Sequence, residues 1–215
     1  MIAMFVRRSV QFLLGACMVQ ALDPSTATCH QTMASQQDAP AAQVSASHDF
    51  DFLVGGWVVQ HRKLKHRLAH SDEWEIFPGT CDMRMLMGGA ANVDDNVLST
   101  PEGMYRAASL RAFDAVTKKW SIWWLDGRHP GQLDPPITGE FRNGVGLFFG
   151  DDTWSGKPIK VRFMWSDIAP NSARWQQAFS ADGGKTWETN WVMDFRRASS
   201  PPVQSPTEKE GSKNR

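Results

Sequence analysis

The sequence predicts an all-β protein, an antiparallel up-and-down β-barrel of eight to ten strands, and three observations carry that expectation. Through the body of the chain apolar and polar residues alternate with period two. Turn-forming pairs recur about every ten residues, and no amphipathic helix of ordinary length interrupts them. A meander of that many strands closes on itself because closure removes exposed edges. Two packed sheets would need long cross-over connections, which the short spacing of the turns leaves no room for.

The strands can be followed in order. The first begins near Gly56, and the last ends near Arg196. Ile159, Val161, Phe163 and Trp165 alternate with Lys160, Arg162, Met164 and Ser166. Trp175, Gln177 and Phe179 alternate with Arg174, Gln176 and Ala178, and Trp187, Trp191, Met193 and Phe195 alternate with Glu188, Asn190, Val192 and Asp194. Three successive strands therefore put their rings on one side of the sheet. Asn143-Gly144, Ser155-Gly156, Pro170-Asn171 and Asp182-Gly183-Gly184 mark the connections. The first of these is the preferred pair for a two-residue hairpin.

The ends read differently. Residues 1–22 have the order of a secretory signal, with Arg7 and Arg8 followed by an uncharged, mostly apolar run from Val10 to Leu22 that is too short to span a bilayer. Val19-Gln20-Ala21 offers a cleavage site, and Leu14-Gly15-Ala16-Cys17 resembles a lipobox. The expected location is periplasmic or secreted, either free or lipid-anchored at Cys17. Residues 23–47 lack large apolar side chains and read as a linker, and residues 199–215 read as a polar tail. The folded body is residues 48–198. Cys29 and Cys81 would either pair, in an exported protein, or stay as two unrelated thiols.

Composition excludes some partners. Lys plus Arg is 23 and Asp plus Glu is 23, so no positive field draws nucleic acid. Ten Trp and twelve Phe against one Tyr make the core unusually aromatic.

Phe52-Leu53-Val54-Gly55-Gly56-Trp57 resembles the Gly-x-Trp signature of lipocalins and other calycin barrels. The resemblance implies that Trp57 plugs the closed end and that an arginine after the last strand, Arg196 or its neighbour Arg197, packs over it as structural closure. The run LVGGW, the segment Gly88 to Asn96 and the stretch RAFDAVTKKWSIWWLDG are together similar to a bacterial family of unknown function with a calycin-like barrel, distantly akin to nitrobindin. That kinship implies a barrel with a cavity and no particular reaction. Nitrobindin-type barrels hold haem through a histidine on a late strand, but this chain has no histidine after His129. Only His61 or His129 would remain as ligands, so no cofactor is expected.

Other motifs are weighed against plainer readings. Ser180 to Trp187 matches the Asp-box pattern, whose carboxylate ties down a hairpin turn, and a single copy reads as a turn. Asp94-Asp95-Asn96 and Asp151-Asp152 lack the spaced ligands of a calcium loop and read as turn chemistry, and His61, His66 and His70 do not converge on one strand face, so no metal is expected. No nucleophile elbow or phosphate loop is present.

The expected function is binding of a small apolar or aromatic molecule inside the barrel. Trp123, Trp165, Trp175 and Trp191 would form its walls, and His61, Arg106, Arg111 and Gln177 its polar groups. The alternative is a cofactor-independent isomerase, hydratase or cyclase, in which Asp126 and His129 form the acid/base pair and Arg128 steadies developing charge. A third reading is an interaction module with an outward aromatic patch.

Overall fold

Residues 46–199 are described by a computed structural model; the signal-like segment with Cys17, nearly all of the linker with Cys29 and most of the tail lie outside them, and with Cys29 so does the question of its pairing with Cys81. The described chain contains ten strands: β1 (Gly55–Leu64), β2 (Trp74–Leu86), β3 (Ala91–Thr100), β4 (Gly103–Asp114), β5 (Lys119–Asp126), β6 (Ile137–Arg142), β7 (Val145–Trp154), β8 (Lys157–Ala169), β9 (Ser172–Ser180) and β10 (Glu188–Arg197). Each pairs antiparallel with its neighbours in sequence, and β1 also pairs with β10, so the sheet is a closed up-and-down barrel. Ten strands enclose more room than eight, which side chains alone can fill.

The turns explain the register. Asn143 and Gly144 both have positive φ, 52° and 76°, and so do Ser155 and Gly156, at 50° and 76°. These conformations match the twist of flanking strands, and glycine takes its share at no steric cost. The Asp-box is a turn as well. The Asp182 carboxylate accepts the amides of Lys185 and Thr186 at 3.0 and 2.9 Å and the Thr186 hydroxyl at 2.7 Å. Those donors hold its pKa well below the ordinary carboxylate value.

One end of the barrel is sealed. The segment leading into β1 folds across it as two short 3-10 turns, Ala46–His48 and Asp51–Leu53. Phe50 is fully buried there, with ring centroids 4.9 Å from Trp120 and 5.0 Å from Phe141. The Trp120 indole donates to the Ala46 carbonyl at 3.0 Å, tying this segment to β5. Trp57 is buried beside it, and its indole donates to the Leu53 carbonyl at 2.8 Å.

The cation over Trp57 is Arg197, 3.8 Å from the ring, and not Arg196, which is exposed. Alternation decides between them, because Phe195 points inward, Arg196 therefore points outward, and Arg197 returns to the closed end. Its guanidinium also donates to the carbonyls of Phe52, Val54 and Pro170.

Trp187 departs from the expected stripe. A register shift between Thr189 and Trp191 interrupts the alternation of β10. Trp187 instead lies against Phe149 and Arg162, with Phe149 half exposed on the outer face. Cys81 is buried on β2, and burial pushes its thiol pKa well up.

Candidate functional site

Above the sealed end, the barrel holds a cavity of about 320 Å³ that opens at the opposite rim. Its walls include Ile122 and Trp124 from β5, Val161, Phe163 and Trp165 from β8, Trp175 and Phe179 from β9, and Trp191, Met193 and Phe195 from β10. Trp191 meets Trp124 and Trp175 edge-on, with centroids 6.0 and 5.6 Å away, so the indoles brace one another as a rigid corner.

Of the four tryptophans expected on the wall, Trp165, Trp175 and Trp191 line this cavity. Trp123 does not. It sits opposite Leu110, which is exposed, whereas Ile122 sits opposite the buried Arg111. That pairing turns Ile122, Trp124 and Asp126 inward and leaves Trp123 outside. Both faces of WSIWWLD carry large rings, so the sequence pattern could not separate them.

The four expected polar groups also divide. Arg111 is inside and only 4% exposed, and its Nη atoms donate to Asn92 Oδ1 at 3.0 Å and Asp94 Oδ2 at 2.5 Å. Gln177 lines the wall and donates to Asn190 Oδ1 at 2.8 Å. Arg106 faces outward, its side chain 66% exposed and paired with Asp95. The strand alternation that buries Ala107, Ser109 and Arg111 requires this.

His61 points into the barrel but is shielded from the cavity. Its ring stacks on Phe77 at 4.7 Å, its Nδ1 accepts the Trp191 indole N–H at 3.2 Å, and its other edge rests on Gly79. A Cβ added to Gly79 would lie 2.5 Å from His61 Nε2 and 2.6 Å from the Val97 carbonyl, so glycine is what lets the imidazole lie flat. Burial, aided by Lys63, lowers its pKa to about 4. Neither this imidazole nor that of His129 lines the cavity, so neither presents a haem ligand there.

The Asp126 loop folds back over the rim, with the Asp134 amide donating to the Trp124 carbonyl at 3.0 Å. Asp126 and Arg128 reach the cavity, but they bind each other: Arg128 Nη2 lies 2.6 Å from Asp126 Oδ2, and the Arg128 amide donates to Asp126 Oδ1 at 2.9 Å. The paired guanidinium, foremost among several contributions, lowers the Asp126 pKa. Arg128 also covers Tyr105 at 3.9 Å. His129 sits exposed in the same turn, its amide donating to the Asp126 carbonyl at 2.9 Å, and it does not line the cavity.

Two sets of interior polar residues escaped the sequence reading. Asp94 and Asn96 read as part of a turn, yet with Asn92 they form the inward stripe of β3. Asp94 Oδ1 accepts Asn96 Nδ2 at 2.6 Å and the Ser109 amide at 2.8 Å. The period-two spacing of these three polar residues, facing Ser109 and Arg111, was the available signal. Lys63 and Arg67 stand outside the polar set expected from the sequence. In the fold they line the cavity, Lys63 Nζ lying 4.4 Å from the Trp191 ring and the Arg67 guanidinium 5.0 Å from Trp154. Lys63 continues the inward series Trp57, Val59, His61.

No family model matches the chain, and no curated protein matches it. Among solved structures it is similar to an S-type phycobiliprotein lyase from Guillardia theta, with a TM-score of 0.50 at 10% identity, over 74% of this chain and 96% of that one. At that identity the likeness is one of fold: a closed antiparallel barrel of calycin-like type.

Proposed function

We propose that this barrel binds a small, largely apolar or aromatic molecule in its interior. The observation that carries the reading is that ten strands enclose about 320 Å³ of unfilled space walled by indoles, with one end sealed and the other open. Tightly packed interiors leave few voids larger than a water molecule, whereas ligand pockets begin at roughly 300 Å³ and combine apolar walls with a few fixed polar groups. Arg111, Asp94, Asn96 and Gln177 are such groups, held by hydrogen bonds within the wall.

The test is mass spectrometry of small molecules released from the protein purified from its native host, followed by titration of the released compound against tryptophan fluorescence. A stoichiometric aromatic or apolar compound that quenches the wild type and binds Trp175→Ala at least about tenfold more weakly supports the reading. A compound that binds both proteins equally would place binding outside the barrel. Export is proposed alongside it, from the signal-like order of residues 1–22. Sequencing the mature N-terminus would show whether they are removed.

A further inference from the structure

The charges at the mouth are unevenly satisfied. Asp126 is bound by Arg128, Asp94 by Arg111, and Asp151 by Lys160 at 2.5 Å. Lys63 and Arg67 are different: both line the cavity, and among the described residues neither is hydrogen-bonded or ion-paired at contact distance, the carboxylates that act on them from further off being Asp126 and Glu75 for Lys63 and Glu188 for Arg67. Each lies instead over aromatic faces, Lys63 on Trp191 and Arg67 on Trp154 and Phe179 at 5.0 and 5.7 Å. An ammonium has three N–H donors and a guanidinium five, so a substantial unused donor set faces the space beside the indoles.

Other carboxylates surround the rim: Glu75 and Glu102 lie beside Lys63 and Arg67, and Asp134 and Asp152 line the cavity. Asp134 precedes β6 and Asp152 is on β7, strands that stand across the closed ring from β1. Burial raises the Asp134 pKa, and neighbouring Asp152 and Asp126 add to it, with no cation offsetting them.

We propose that the ligand is an amphipathic organic acid whose anionic group docks between Lys63 and Arg67 while its apolar body occupies the indole-lined interior. This rests on the reading that the cavity binds a small molecule. An apolar body entering the barrel strips water from both cations, a cost that their aromatic neighbours offset only in part. An anion on the same molecule replaces that water with charge-assisted hydrogen bonds. Arg67 brings a planar fork suited to a carboxylate, and Lys63 a mobile point charge.

Two dyes with the same rings separate the charge from the apolar body: anilinonaphthalene sulfonate, an anion, and phenylnaphthylamine, which is neutral. Both are titrated by fluorescence into the full chain, into Lys63→Gln, Arg67→Gln and Lys63→Arg, and into Trp175→Ala as a check that binding is internal. The expected result is tighter binding of the anion. Lys63→Gln and Arg67→Gln should each weaken it by about tenfold while moving the neutral dye by less than about twofold. Lys63→Arg should retain the anion, and added salt should weaken only the anion. If the neutral dye binds as tightly as the anion, or the glutamine variants weaken both alike, the anionic site is overturned while cavity binding stands. If neither dye binds, or Trp175→Ala leaves both unchanged, both readings fall.

Discussion

Both ends of the barrel place a cation over an indole, and they do so to opposite effect. At the closed end Arg197 lies 3.8 Å from Trp57 and spends its donors on the carbonyls of Phe52, Val54 and Pro170. At the open end Lys63 lies 4.4 Å from Trp191 with no hydrogen-bond acceptor among the described residues. The first arrangement is complete in itself and holds chain segments together. The second leaves a half-buried charge wanting a partner. A cation over an indole thus becomes a structural element or a binding element according to whether backbone carbonyls are within its reach.

The largest expected effect tests the closed end. Trp57→Ala should destabilise the fold by about 3–5 kcal/mol, as for other fully buried large rings, measured by denaturant unfolding of the full chain. A cost near 1 kcal/mol would mean that the leading segment seals the barrel without its plug.

The next concerns the layer between the two ends. His61 titrates near 4 in the folded protein and near 6.5 when unfolded. Above pH 6.5 both states are neutral and the group contributes no pH dependence. Between 6.5 and 4 only the unfolded chain takes up the proton, so stability should fall with falling pH, by on the order of 3 kcal/mol in total, and level off below 4. His61→Gln should flatten that slope; a slope unchanged by the substitution would show that the imidazole is not held neutral by its burial against Phe77 and Trp191.

A smaller effect compares the cations directly. Arg197→Ala should cost about 1–3 kcal/mol, because three carbonyl contacts go with the cation–π contact. Lys63→Gln should stay within about 0.5 kcal/mol of wild type, or stabilise, since it removes a charge that no described residue hydrogen-bonds. Equal losses at the two positions would erase the distinction drawn here. The smallest effect is expected at Arg106, whose exposed pair with Asp95 is screened by solvent, so that the Arg106→Gln unfolding midpoint should coincide with that of wild type.

Much of this was legible in the residues. The period-two runs from Ile159 onward, the Asn143-Gly144 hairpin and the Gly-x-Trp entry all correspond to structure, and so does the change from rings to charge at Asp126, which marks the open rim. The candidate site was legible only where one face of a strand was apolar and the other polar, as at Trp165 and Trp175. It failed where both faces carried rings, at Trp123 and Trp124, and where a bulge broke the count, at Trp187. It failed again where polar residues made the inner stripe, because Asp94 and Asn96 look like a turn until Arg111 is seen to face them.

The sequence by itself determined that this chain alternates, turns often and carries its rings in ordered stripes, and those local features suffice for an antiparallel barrel because period and turn geometry are set within a few residues. Only the tertiary structure decided which Trp of the β5 run faces in, that His61 is walled off by Trp191, and that no carboxylate among the described residues is hydrogen-bonded to Lys63 or Arg67. Those outcomes depend on cross-strand register and on distances between residues far apart in the chain, and no local pattern encodes either.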